Sequence, residues 1–131
     1  MLTEHTLDAR TVSINYAEGP KSGPTLVLVH GITARWQVFR PIVPTLAQRW
    51  HLVAMDLRGH GGSGHVSGRY GLLEYASDVM ALIRHLDDGP VVVIGHSLGA
   101  MAGIALAKRG VRRLIPVCAC RIWPLPTNHQ C

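Results

Sequence analysis

The residues with the clearest capacity for chemistry are Gly95-His96-Ser97-Leu98-Gly99. A serine hydroxyl is a weak nucleophile until a base takes its proton. It must also be exposed, with hydrogen-bond donors waiting for the oxyanion that its attack creates. A Gly-x-Ser-x-Gly on a sharp strand-to-helix turn supplies both conditions. Gly95 and Gly99 lack side chains that would collide with the neighbouring strand and helix. The N-terminus of the following helix directs free N–H groups at the reacting centre. Ser97 is therefore the candidate nucleophile, and the Leu98 N–H is a candidate oxyanion donor. His96 adjoins the serine but should point away from it, and is read as a packing or hydrogen-bonding residue.

The second donor should come from the loop after an earlier strand. Leu26-Val27-Leu28-Val29 runs into His30-Gly31-Ile32-Thr33. The Ile32 N–H is the choice, with His30 and Gly31 as supporting residues and Gly31 admitting close backbone approach.

The surrounding elements have to place these groups. Val91-Val92-Val93-Ile94 reads as a buried strand into Ser97, and Met101 to Lys108 as the helix out of it. Val12, Ile14 and Tyr16 alternate, as in a strand or hairpin at a sheet edge. The Leu26 run is continuously apolar, like a parallel strand covered on both faces. Trp36, Phe39, Val43 and Leu46 fall at helical spacing. Pro41 and Pro44 suggest a lead-in turn and a helix from near Pro41. Leu52-Val53-Ala54-Met55 is the next strand. Leu72, Tyr75, Ala76, Val79, Leu82, Ile83 and Leu86 mark one helix face, with Glu74 and Asp78 suited to its N-terminal half. Val111 to Val117 is a further strand. Strand and helix in alternation predict an α/β fold: a mostly parallel sheet with helices on both faces.

Gly59-x-Gly61-x-x-Gly64 matches a dinucleotide fingerprint by letter. The Asp56-Leu57-Arg58 before it and the late helix start speak for a structural loop with Asp56 and Arg58 paired. His51, His60 and His65 lack a metal spacing and suit solvent-facing or loop positions. The net charge of +5 comes from scattered arginines, which argues against a nucleic-acid surface. No apolar run is long enough to span a membrane, and the N-terminus lacks a signal-peptide pattern, so a cytoplasmic location is expected. All three cysteines, Cys118, Cys120 and Cys131, sit near the end and form neither a disulfide framework nor a zinc spacing.

Together these motifs resemble the α/β-hydrolase family, in its serine-nucleophile, esterase- and lipase-like branch. His30-Gly31-Ile32-Thr33 is similar to its oxyanion loop, Asp56-Leu57-Arg58-Gly59-His60-Gly61-Gly62-Ser63 to its D-x-R-G-x-G-x-S loop, and Gly95 to Gly99 to its nucleophile elbow. The resemblance covers roughly Val12 to Ile115, the N-terminal half of such a domain. It implies a sheet that begins antiparallel and continues parallel, with the last strands missing. It also implies cleavage of an ester or related acyl bond of a small-molecule substrate, through an acyl-enzyme on Ser97, without metal or organic cofactor. Serine at the elbow argues against the aspartate-bearing dehalogenase and epoxide-hydrolase branches.

The family triad continues with Asp or Glu and then His. No Asp or Glu follows Ser97 here, and the only later histidine is His129. A catalytically incomplete fragment or pseudoenzyme with at most a binding role is therefore the alternative. Residues 1–115 are read as the hydrolase-like part. Residues 116–131 are read as an atypical tail, out of frame from near Ile115, with a genuine short tail packed on the sheet as the alternative. The apolar strand near the end predicts an exposed sheet edge, marginal stability and self-association through that edge.

Overall fold

The computed structural model describes residues 1–110 and the backbone of 114–119. Six strands form one sheet in the order β1-β2-β4-β3-β5-β6. They are β1 (Thr3–Asp8), β2 (Ser13–Glu18), β3 (Thr25–Val29), β4 (His51–Met55), β5 (Val91–His96) and β6 (Leu114–Ala119). β1 pairs antiparallel with β2, and β2 antiparallel with β4. All remaining pairings are parallel. The sheet thus begins antiparallel and continues parallel, as expected.

Every residue of β3 and β4 is buried. Their continuous apolar runs reflect helices or turns on both faces of the sheet. On one face Val27, Val29, Val53, Met55, Val91 and Val93 pack under α2 (Leu72–Leu86) and α3 (Leu98–Lys108). On the other, Leu26, Leu28, Leu52 and Ala54 pack under Trp36 and Phe39. This second cover is thinner. Trp36–Phe39 is a 3-10 turn, and α1 (Val43–Leu46) is a single turn with Pro44 in it. The longer helix anticipated from Pro41 is cut to this length. A proline at position 44 is tolerated only in a first turn, where its missing N–H has no helical partner to lose.

α2 buries Tyr75, Ala76, Val79, Leu82 and Ile83 as the periodicity requires, but Leu72 in its first turn is exposed. β6 runs Leu114–Ala119, slightly later than anticipated; the rest of segment 116–131 lies outside the described residues. Among the described residues, no helix is long and apolar enough to cross a membrane.

The chain passes from β3 to β4 on one side, then crosses to β5 on the other. Strand order reverses there, and the connections diverge to leave a crevice outside the carboxyl ends of β3 and β5. Both candidate loops, after Val29 and after Gly95, open into that crevice.

Candidate active site

Ser97 joins β5 to α3 with φ 50° and ψ −113°. A non-glycine residue at positive φ is strained, and such strain persists only where the surroundings impose it. Here they do. A Cβ on Gly95 would run into the backbone of Gly99 and Ala100, and one on Gly99 into the carbonyls of Val29 and His30. Strand β5, the first turn of α3 and the end of β3 are packed backbone to backbone. The only route between them is a tight turn that leaves Ser97 exposed.

The parallel register sets the loop after β3 against this turn. Val29 pairs with Gly95, so Gly31 comes level with Ser97. A Cβ on Gly31 would lie 3.2 Å from Ser97 Cβ and 2.8 Å from His96 Nδ1. Glycine is thus needed at 31 because the chain touches the elbow. Ile32 follows with its side chain 66% exposed, and Thr33 takes φ 63°. The first α3 helical bond runs from Met101 N–H to the Ser97 carbonyl, so Leu98 N–H precedes the hydrogen-bonded ladder. Among the described residues no bond from Ile32 N–H is formed. His96 is exposed beside Gly31.

His30 is wholly buried and does a job that its sequence position did not reveal. Leu57 N–H donates to His30 Nε2 at 3.0 Å, so that nitrogen is unprotonated. The proton sits on Nδ1, which donates to the Gly31 carbonyl at 2.6 Å. The neutral ring therefore ties the loop after β3 to the loop after β4. Burial holds its pKa below the ordinary histidine value. Asp56 Oδ1 lies 3.8 Å from Nε2, but with a neutral ring this is proximity and not an ion pair.

Asp56 does not pair with Arg58 as the sequence suggested. Its Oδ1 accepts from Trp36 N–H at 2.7 Å, and its Oδ2 from Gly62 N–H at 2.8 Å and Asn15 Nδ2 at 2.9 Å. One buried carboxylate thereby anchors the turn after β3, the glycine-rich loop and β2. Arg58 instead reaches α2, where Nε and Nη2 each lie 2.6 Å from an oxygen of Asp78. The planar guanidinium needs a carboxylate offering both oxygens, and those of Asp56 are taken by backbone and amide donors. Asp78 raises the Arg58 pKa further. Asp78 thus anchors the loop instead of merely complementing the helix dipole. Gly59 and Gly61, at φ 74° and 50°, let the loop fold back, with Gly59 N–H bonded to the Gly64 carbonyl. The loop is a structural clamp, and α2 begins only at Leu72.

His65 is exposed, and His60 sits half-buried in the loop with Nδ1 donating to the Arg58 carbonyl. His51 departs from expectation, being 1% exposed. As the first residue of β4 it lies within the sheet, where Nε2 meets Glu18 at 2.8 Å and Nδ1 meets Asp88 at 2.9 Å. Burial is tolerated because both nitrogens find partners. Among the described residues no group of three side chains could hold a metal ion. A triad acid and base are not assembled beside Ser97 among them, and His129 lies outside them.

Residues 24–129 match the family model described as alpha/beta hydrolase fold. The chain is 37% identical over 103 residues to a 2-(acetamidomethylene)succinate hydrolase of Mesorhizobium japonicum, covering 79% of this chain and 37% of that protein. It is 41% identical over 90 residues to a magnesium-chelatase 30 kDa subunit of Rhodobacter capsulatus, covering 68% of this chain and 32% of the relative. The crystal structure of E-2-(acetamidomethylene)succinate hydrolase superposes with TM-score 0.82 and 33% identity, covering 90% of this chain and 43% of that one. The chain spans about a third of the length of these curated relatives. The strand order, the crevice at the reversal and the strained serine between two obligatory glycines thus coincide with a family match over most of the sequence: the chain belongs to the α/β-hydrolase family.

Proposed function

We propose that this chain carries the nucleophile and oxyanion half of a serine hydrolase that cleaves an ester or related acyl bond of a small molecule. The observation that supports it most is the backbone of Ser97: positive φ, exposed hydroxyl and Gly31 in contact. Ser97 Oγ attacks the acyl carbon while its proton passes to a base. The carbonyl oxygen becomes an oxyanion facing the N–H groups of Ile32 and Leu98. Collapse expels the leaving group with a proton, and water then releases the acyl group from Ser97. The family match supports hydrolysis in general, and the serine supports the acyl-enzyme route over a carboxylate nucleophile. The 2-(acetamidomethylene)succinate acted on by one relative offers a first substrate to try.

A binding role without turnover is the alternative, favoured by the lack of an acid and base assembled beside Ser97 among the described residues. Oxyanion donors and binding alone leave roughly 10³-fold catalysis over water. The test is mass spectrometry of the chain after an activated aryl ester. The serine-hydrolase proposal expects one acyl adduct on the Ser97 peptide, absent in Ser97→Ala. An adduct level unchanged in Ser97→Ala removes Ser97 as nucleophile. No adduct in either protein leaves the binding role.

A further inference from the structure

The turn after β3 and the glycine-rich loop line an open cleft of about 370 Å³, formed by Thr33, Ala34, Arg35, Gly59, His60 and Gly61. We propose that this cleft binds a carboxylate group, so that the substrate of the Ser97 site is an anionic acyl compound with Arg35 as its counter-ion. The inference rests on the proposed function for the word substrate, and on the cleft alone for the binding.

Charge is the first support. Arg35 is an exposed, permanent cation, and among the described residues no carboxylate pairs with it. No Asp or Glu lines the cleft. Asp56 lies beneath Gly61, but it is 1% exposed with both oxygens occupied by three donors. An incoming anion thus meets a guanidinium and a backbone donor, not a competing free carboxylate. Gly61 N–H makes no bond among the described residues, and Thr33 also lines the space.

Position is the second support. Thr33 and Arg35 lie two and four residues beyond Gly31, which contacts Ser97. The His30 and His60 rings, 5.2 Å apart, join the oxyanion loop to the other wall of the cleft. A carboxylate held on the same loop that touches Ser97 fixes the orientation of the acyl group. Arginine suits the task because its fork matches a carboxylate with two parallel bonds.

The experiment is amide NMR titration of the Ser97→Ala protein with succinate, and with succinamide as its neutral counterpart. Using that variant keeps the outcome independent of acylation. Saturable shifts at Thr33, Arg35, Gly59 and Gly61 with succinate alone are the expected result. Arg35→Gln is expected to weaken them about tenfold, equivalent to about 1.4 kcal/mol. Arg35→Lys should weaken them less, and Arg49→Gln, at an exposed arginine between α1 and β4 outside the cleft lining, should leave them unchanged. Equal binding of succinamide, no saturable shift with succinate, or full binding by a folded Arg35→Gln protein would each overturn the proposal. Failure of ester acylation with intact succinate binding would sink only the nucleophile assignment.

Discussion

Gly31 and Ser97 touch across two neighbouring parallel strands. Each stands two residues past a paired position, Val29 and Gly95, and an added Cβ at 31 would come within 3.2 Å of Ser97 Cβ. The register of β3 against β5 therefore sets the distance between Ser97 and the loop after β3. Gly31→Ala is expected to cost about 1 kcal/mol or somewhat more by overpacking. It should slow acylation of Ser97 by at least about tenfold, because the loop must retreat. Urea unfolding and the rate of ester-adduct formation check the two parts. Unchanged acylation would show that the contact has no bearing on reactivity.

Ser97 holds a backbone conformation that glycine accepts freely. Ser97→Gly should raise stability by about 1 kcal/mol by relieving this strain, while abolishing the adduct. A loss of stability in chemical denaturation would show that the serine side chain contributes more than its backbone costs.

The Arg58–Asp78 pair is buried on both sides, with side chains 3% exposed. Removing one partner leaves a charge without compensation. Asp78→Asn is expected to cost about 3 kcal/mol or more, and an Arg58→Met, Asp78→Leu double variant much less. A double-mutant cycle in urea measures this. Purely additive losses would mean that the residues act separately.

His30 is neutral in the fold, with its pKa pushed down by burial. Its ordinary value is 6.5, so as pH falls through that point the unfolded chain gains a proton that the folded ring refuses. The stability that this confers is fully present above about pH 6.5 and declines as pH falls toward the lowered folded value. Stability curves at several pH values should show an acid limb that shrinks in His30→Ala. That variant also orphans Leu57 N–H and should lose about 1–3 kcal/mol at neutral pH. An identical acid limb in both proteins would count against a neutral His30.

Much of the architecture was legible because it depends on local pattern. The apolar runs at Leu26, Leu52 and Val91 are strands wherever they are buried on two sides, and glycines at 95 and 99 permit one tight turn with a serine at its tip. These features need only neighbours in sequence, so composition and spacing suffice.

What the sequence did not disclose were the polar partnerships, because they join residues far apart in the chain. Asp56 and Arg58 look like a pair at a separation of two. The fold instead brings Asp78 to Arg58 on α2, and Trp36, Asn15 and Gly62 to Asp56. His51 looked like a surface histidine until β2 and the loop after α2 supplied Glu18 and Asp88. His30 looked like part of an oxyanion motif, and became a neutral staple only when β4 delivered Leu57 N–H. By itself the sequence determined the strands, the turn and the serine, through periodicity and the steric freedom of glycine. Only the tertiary structure decided which charges neutralise one another and how close Gly31 lies to Ser97, since hydrogen bonds and packing act over a few ångströms of space regardless of distance along the chain.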